Sequence, residues 1–139
     1  MAYLDDIDLV LDCTDNLDTR LEINRACVAA QKPLISAAAI GWEGQLTTFR
    51  FDQQSSPCLA CILKAGTGGP PMDCSTAGVI GPVLGTMGSV QATRALQILA
   101  DIEVDDSTWM HRYDGRSGRW LSTRIKALEN CPVCNPYAD

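Results

Sequence analysis

At 139 residues with 46% apolar side chains, the chain is long enough to bury one core and too short for two comfortable ones. A formal net charge of −6, with no block of like charges, argues against nucleic acid or an anionic membrane as the main partner. Seven cysteines would suit a disulfide scaffold, but the odd number and the two CxxC pairs favour metal binding, and the start MAYLDDIDLV, with neither a basic nor a long apolar segment, predicts a cytoplasmic protein.

Residues 8–14 (DLVLDCT) are a near-continuous apolar run, suited to a parallel strand covered on both faces. A polar break, Thr14-Asp15-Asn16, follows. Leu17, Leu21, Asn24 and Val28 then recur at helical spacing, which predicts a helix over residues 17–31 with Asp15 or Asn16 as its cap and Pro33 marking its end. Residues 33–40 (PLISAAAI) read as a second buried strand, so residues 8–40 make one right-handed β-α-β crossover. After a turn at residues 41–44, the alternation in QLTTFRF predicts a third strand over 45–51.

The Gly/Pro-rich residues 64–73 (KAGTGGPPMD) cannot hold regular structure and predict a mobile loop. Helical signals resume near Ser75. Gly78, Gly81, Gly85 and Gly88 fall close to one face of that helix, which predicts something packed tightly against it, while Pro82 lies in its first turns. The stretch over residues 79–100 is largely apolar, but Gln91, Arg94 and Gln97 interrupt it, leaving it short of the roughly 20 residues a bilayer span needs. Residues 108–113 and 119–125 are strand-like and flank Asp-Gly-Arg-Ser-Gly, a hairpin signature.

Two cysteine pairs, CLAC at 58–61 and CPVC at 131–134, supply four thiolates. A two-residue spacer lets both sulfurs of a pair reach one tetrahedral ion at about 2.3 Å, so Cys58, Cys61, Cys131 and Cys134 predict a closed structural zinc site that pins the C-terminal tail to the middle of the chain. A redox dithiol needs one pair opening a helix, whereas here Pro57 precedes one pair and Pro132 lies within the other. Cys13 and Cys27 read as core residues. Cys74 follows the Gly/Pro-rich loop at a predicted helix start, where the dipole lowers a thiol pKa and neighbouring Asp73 opposes it; it is either a nucleophile or an inert surface cysteine.

Thr14-Asp15-Asn16 sits at the carboxyl end of the first strand, where ligands gather in open α/β sheets. Asp15 either helps hold a magnesium ion on nucleotide phosphates or caps the helix. Arg20 either serves a phosphate or pairs with Asp18 or Glu22 on the helix surface. His111 reads as structural, and Trp42, Trp109 and Trp120 as packing residues.

Taken together, LDCTDNxxTR at 11–20, PCxxC at 57–61, DCSTAGVIGPVxGxxGSxQA at 73–92, YDG at 113–115 and CPVC at 131–134 resemble the ThiF/MoeB/HesA family of ubiquitin-activating-enzyme-like adenylyltransferases. The resemblance implies an α/β, Rossmann-like fold with structural Zn2+. It also implies Mg2+-dependent use of ATP to activate the C-terminal Gly-Gly carboxylate of a ubiquitin-like sulfur-carrier protein, in a thiamine or molybdopterin pathway; half of a parallel sheet would leave an uncovered strand edge, which predicts a homodimer or larger assembly. Residue by residue it makes Asp15 the catalytic magnesium and ATP aspartate with Asn16 beside it, the four paired cysteines the zinc ligands, and Cys74 the crossover-loop cysteine that links covalently to the carrier in some members. STAG at 75–78 and the CPVC ending lean toward the thiamine branch. The family's GxGGxG phosphate loop has no counterpart in these residues, so residues 1–139 are expected to be the C-terminal portion of such a domain, without the nucleotide-binding half and inactive alone. The alternative is a non-catalytic, zinc-stabilised dimerisation or carrier-docking module.

Overall fold

A computed structural model describes residues 3–53, 56–64, 78–102 and 107–135. Five strands form one mixed sheet in the order β1-β2-β3-β4-β5: β1 Val10–Asp12, β2 Leu34–Ile40, β3 Glu43–Phe49, β4 Trp109–Asp114 and β5 Arg119–Arg124. Helix α1 (Leu17–Ala30) joins β1 to β2, which pair in parallel with Asp12 opposite Ser36. The remaining neighbours are antiparallel. The crossover and the hairpin are therefore where the sequence places them, and the parallel character stops at β2 because Gly41 (φ +53°) and Trp42 turn the chain straight back.

Alternation along the strands sorts the core onto two faces. Ile35, Ala37, Ala39 and Leu46 meet Val83, Met87 and Ala95 of α3 (Gly81–Leu99) on one side. On the other, Leu34, Phe49, Met110 and Ile125 meet Cys27 of α1, the short α2 (Leu59–Lys64) and Cys131 of the C-terminal segment. Gly44 exists for the first face: a Cβ there would lie 2.3 Å from Met87 Sδ. Gly115 is equally constrained, since a Cβ would stand 2.7 Å from Val83 Cγ2 and 2.9 Å from the Trp42 carbonyl.

Two expectations about α3 need correction. The described helix begins at Gly81, with Pro82 in its first turn; Gly78 (φ +65°) precedes it outside the helix, and Val79 after it bridges to Gly41. Its glycines are also not the tightly packed ones, because a Cβ on Gly81, Gly85 or Gly88 would meet nothing within 4 Å. That face, with Leu84, Leu96 and Leu99, is exposed. No described helix is long and apolar enough to cross a membrane. Residues 65–73 of the predicted loop, and Cys74 and Ser75 after it, lie outside the described residues.

Candidate functional site

Four sulfurs converge where α2 meets the C-terminal segment. Buried Asn24, reaching from α1, accepts the Leu59 N–H on Oδ1 at 2.9 Å and so fixes the first turn of α2 just after Cys58. The Cys61 N–H bonds the Cys58 carbonyl at 3.0 Å, folding the first pair into a tight turn. The second pair folds likewise, with Asn135 N–H on the Cys131 carbonyl at 3.0 Å and Asn135 Nδ2 on the Glu129 carbonyl at 2.7 Å. The Leu128 N–H points at Cys61 Sγ at 3.4 Å.

Sγ separations are 3.9 Å for Cys58 and Cys61, 3.7 Å for Cys58 and Cys131, and 3.5 Å for Cys61 and Cys134, with all four atoms within 4.8 Å of one another. Tetrahedral ligation at a metal–sulfur distance near 2.3 Å requires sulfurs about 3.8 Å apart, whereas a disulfide brings them to about 2.05 Å. The four cysteines therefore fit one tetrahedral ion. Burial pushes the Cys58 thiol up to about 11. Burial opposes ionisation at Cys131 too, but N–H groups of Cys134 and Val133 directed at it outweigh that and bring it down to about 7. Four thiolates at this spacing need a cation to offset their mutual repulsion. The first pair does open a helix, contrary to expectation; what sets it apart from a redox dithiol is the second pair, arriving 73 residues later.

The second cluster is the turn after β1. Asp12 is 1% exposed, and its carboxylate accepts the Thr14 N–H at 3.0 Å and the Thr14 hydroxyl at 2.7 Å on Oδ1, and the Ser36 hydroxyl at 2.8 Å on Oδ2. Arg20 of α1 lies over it, with Nε 3.8 Å from Asp12 Oδ2. The same guanidinium donates to the Thr14 carbonyl from Nε at 3.1 Å and Nη2 at 2.9 Å, and to the Ala37 carbonyl. Arg20 thus pairs with neither Asp18 nor Glu22; Glu22 is taken by Arg25. From the opposite face Gln91 of α3 donates to the Asp12 carbonyl at 3.0 Å and the Ile35 carbonyl at 2.9 Å.

Asn16, not Asp15, caps α1, accepting the Thr19 N–H at 2.9 Å. Asp15 is left exposed at the strand end, its carboxylate contacted by Asn16 Nδ2 at 3.4 Å. Its freedom from the capping role leaves the carboxylate available to a ligand, while Asn16 Oδ1 is committed to the cap. Cys13 is exposed rather than part of the core, its thiol donating to Gln91 Oε1 at 3.3 Å. Cys27 is buried as expected, and burial first, then the Asp12 charge, pushes its thiol up to about 11. His111 Nδ1 shares a 2.8 Å hydrogen bond with Ser122, as suits a structural residue. The tryptophans pack on one side only: Trp42 and Trp120 are 43% and 44% exposed, Trp120 against Tyr113, and Trp109 beneath Arg124.

Sequence reasoning missed Asp12, Ser36, Gln91 and the part Asn24 plays. The signal was a carboxylate within a run otherwise apolar enough to be buried, which demands partners.

A model of the ThiF family matches residues 1–133. The chain is 44% identical over 127 residues to the sulfur carrier protein ThiS adenylyltransferase of Escherichia coli (strain K12), covering 91% of this chain and 49% of that protein. It is 38% identical over 133 residues to the molybdopterin-synthase adenylyltransferase of the same organism, covering 96% and 53%. The chain thus spans about half the length of these curated relatives. In fold it resembles the crystal structure of E. coli MccB, with a TM-score of 0.75 at 12% identity over 98% of this chain and 41% of that one.

Proposed function

The chain belongs to the ThiF family, and on that premise we propose that it is the C-terminal portion of an ATP-dependent adenylyltransferase that activates the C-terminal Gly-Gly carboxylate of a ubiquitin-like sulfur-carrier protein. The observation that carries this reading is the placement of Asp15: exposed, freed from capping by Asn16, and set at the carboxyl end of a parallel strand. In this role Asp15 holds Mg2+ on the ATP phosphates while the carrier carboxylate attacks the α-phosphate, giving an acyl-adenylate and pyrophosphate. Asn16 caps α1 through Oδ1 and stands beside Asp15 at the nucleotide.

Cys58, Cys61, Cys131 and Cys134 hold structural Zn2+, which supplies a clamp and no chemistry. Cys74 is the residue that links covalently to the carrier. The thiamine pathway is favoured over the molybdopterin pathway by the higher identity to the ThiS-directed relative. A homodimer working in the cytoplasm completes the proposal.

The test is titration of the zinc-loaded chain with a Gly-Gly-terminated sulfur carrier and Mg2+-ATP, read by amide shifts at residues 14–17 and by ATP–pyrophosphate exchange. Carrier binding without exchange is expected, because these residues contain no GxGGxG loop. Exchange by the chain alone would overturn the requirement for such a loop, and failure of the folded protein to bind carrier would overturn the carrier reading.

A second reading, a non-catalytic association module, is favoured by one observation. The outer face of α3 carries Leu84, Leu96 and Leu99 at 53%, 67% and 56% exposure beside Gly85 and Gly88, which admit a close neighbour. Light scattering and the titration together decide it: a dimer whose residues 14–17 do not respond to Mg2+-ATP supports this reading over the first, and a stable monomer at high concentration removes it.

A further inference from the structure

Asp15 is exposed, yet the residues around it are tied down at nearly every polar atom. We infer that Asp12 and Arg20 are a positioning pair: a buried carboxylate and a guanidinium that grip Thr14 from opposite sides and thereby fix the direction in which Asp15 is presented. Thr14 immediately precedes Asp15. Its N–H and hydroxyl are held by Asp12, at 3.0 and 2.7 Å, and its carbonyl is held twice by Arg20, at 3.1 and 2.9 Å. Both peptide groups of that residue are thus held.

The grip is anchored to the sheet rather than to the turn alone. Ser36 of β2 donates to Asp12, and Arg20 reaches past it to the Ala37 carbonyl on the same strand. Gln91 holds the Asp12 carbonyl from the other face of the sheet. Asn16, on the far side of Asp15, is locked as the cap. Two parallel strands and helices from both faces therefore determine the position of one exposed carboxylate. Asp12 at 1% exposure is too buried to meet a ligand. Its partners explain its presence only as a device for the turn, since a buried carboxylate is retained at a cost unless its bonds serve something. Preorganising Asp15 this way removes from the binding step the entropy of ordering it.

The purpose assigned to the pair rests on the reading of Asp15 as a magnesium carboxylate; the rigidity itself does not. The test uses the zinc-loaded 139-residue protein and nuclear magnetic resonance, with Mn2+ alone as the metal probe. In Arg20→Met, amide exchange at residues 14–16 is expected to quicken by about tenfold or more and the Asp15 χ1 couplings to collapse toward rotamer averages, while residues 21–30 and the cysteine amides stay unchanged. Arg20→Lys, which keeps one donor, is expected to restore part of the order. Ser36→Ala removes one anchor of Asp12 without touching the turn and gives a smaller change in the same direction; it and Arg20→Lys carry the test if Arg20→Met does not fold. Unchanged exchange and couplings in the folded variants would overturn the positioning role. In the parent protein Mn2+ broadening is expected to centre on Asp15. Its absence would sink the magnesium reading and leave the clamp standing, whereas broadening that persists at full strength in a loosened variant would show that positioning is not needed.

Discussion

Replacing Cys131 by serine removes one of the four sulfurs while keeping nearly the same volume at a fully buried position. Cys58 and Cys131 lie 73 residues apart in sequence and 3.7 Å apart in space, so an ion joining them closes a loop of that length. Closing such a loop withholds about 4 kcal/mol of conformational entropy from the unfolded chain, by the relation that holds for covalent cross-links. A domain of this size has a total stability of about 5–15 kcal/mol, so the clamp is a large share of it. The unfolding midpoint should fall by roughly 10–20 °C in Cys131→Ser, and the same fall should follow removal of metal from the parent protein by a chelator. Zinc content by elemental analysis should drop from about one per chain to near zero, because three thiolates do not close a structural site. Cys13→Ser, at an exposed cysteine outside the cluster, should change neither zinc content nor midpoint. A Cys131→Ser protein that keeps its zinc, or a metal-free parent protein that melts where the loaded one does, would refute the clamp.

Three further outcomes follow from particular contacts. Asn24→Ala deletes the acceptor for the Leu59 N–H in the buried joint between α1 and α2, and should cost about 1–3 kcal/mol in denaturant unfolding and weaken zinc retention against a chelator. Gly115→Ala forces a Cβ against the Trp42 carbonyl and Val83 and should destabilise by about 1–3 kcal/mol, whereas Gly88→Ala, with open space around it in a helix interior, should stabilise an isolated chain by about 0.5–1 kcal/mol. If α3 mediates self-association, Gly88→Ala should instead weaken the dimer, which sedimentation would reveal. The Ser117 hydroxyl and the Arg116 N–H hold the Asp114 carboxyl below its ordinary value. That contribution to the β4–β5 turn is present above the unfolded aspartate pKa and is lost as the pH falls through the lower folded value, so hairpin amide shifts should titrate on the acid side of an ordinary aspartate.

Periodicity located α1, β2 and both halves of the β4–β5 hairpin to within a residue or two, because each carries a local pattern that its neighbours reinforce. The same reasoning put Gly78 within α3, which in the described residues begins at Gly81. Its glycines read as a packed stripe from spacing alone, but spacing does not say which side of a helix meets the sheet; Val83, Met87 and Ala95 do, and the glycines fall outside. The close approaches belong to Gly44 and Gly115, in a strand and a turn; the hairpin signature marks Gly115 as a turn residue, but no local pattern shows that Met87 and Val83 lie against these two positions.

What the sequence determined on its own is the chemistry available. Two CxxC spacings can satisfy one tetrahedral ion wherever the chain brings them together, and a polar break after a buried strand offers a carboxylate at a strand end. Only the tertiary structure decided how that chemistry is used. The choice of Asn16 over Asp15 as cap depends on backbone angles, and the grip of Asp12 and Arg20 on Thr14 depends on β2 lying beside β1. The cap spans only the three residues from Asn16 to Thr19, whereas the anchoring of Asp12 on Ser36 spans 24 and the meeting of the cysteine pairs 73. Local sequence fixes which groups are present, and contact across that distance fixes which of them remain free to act.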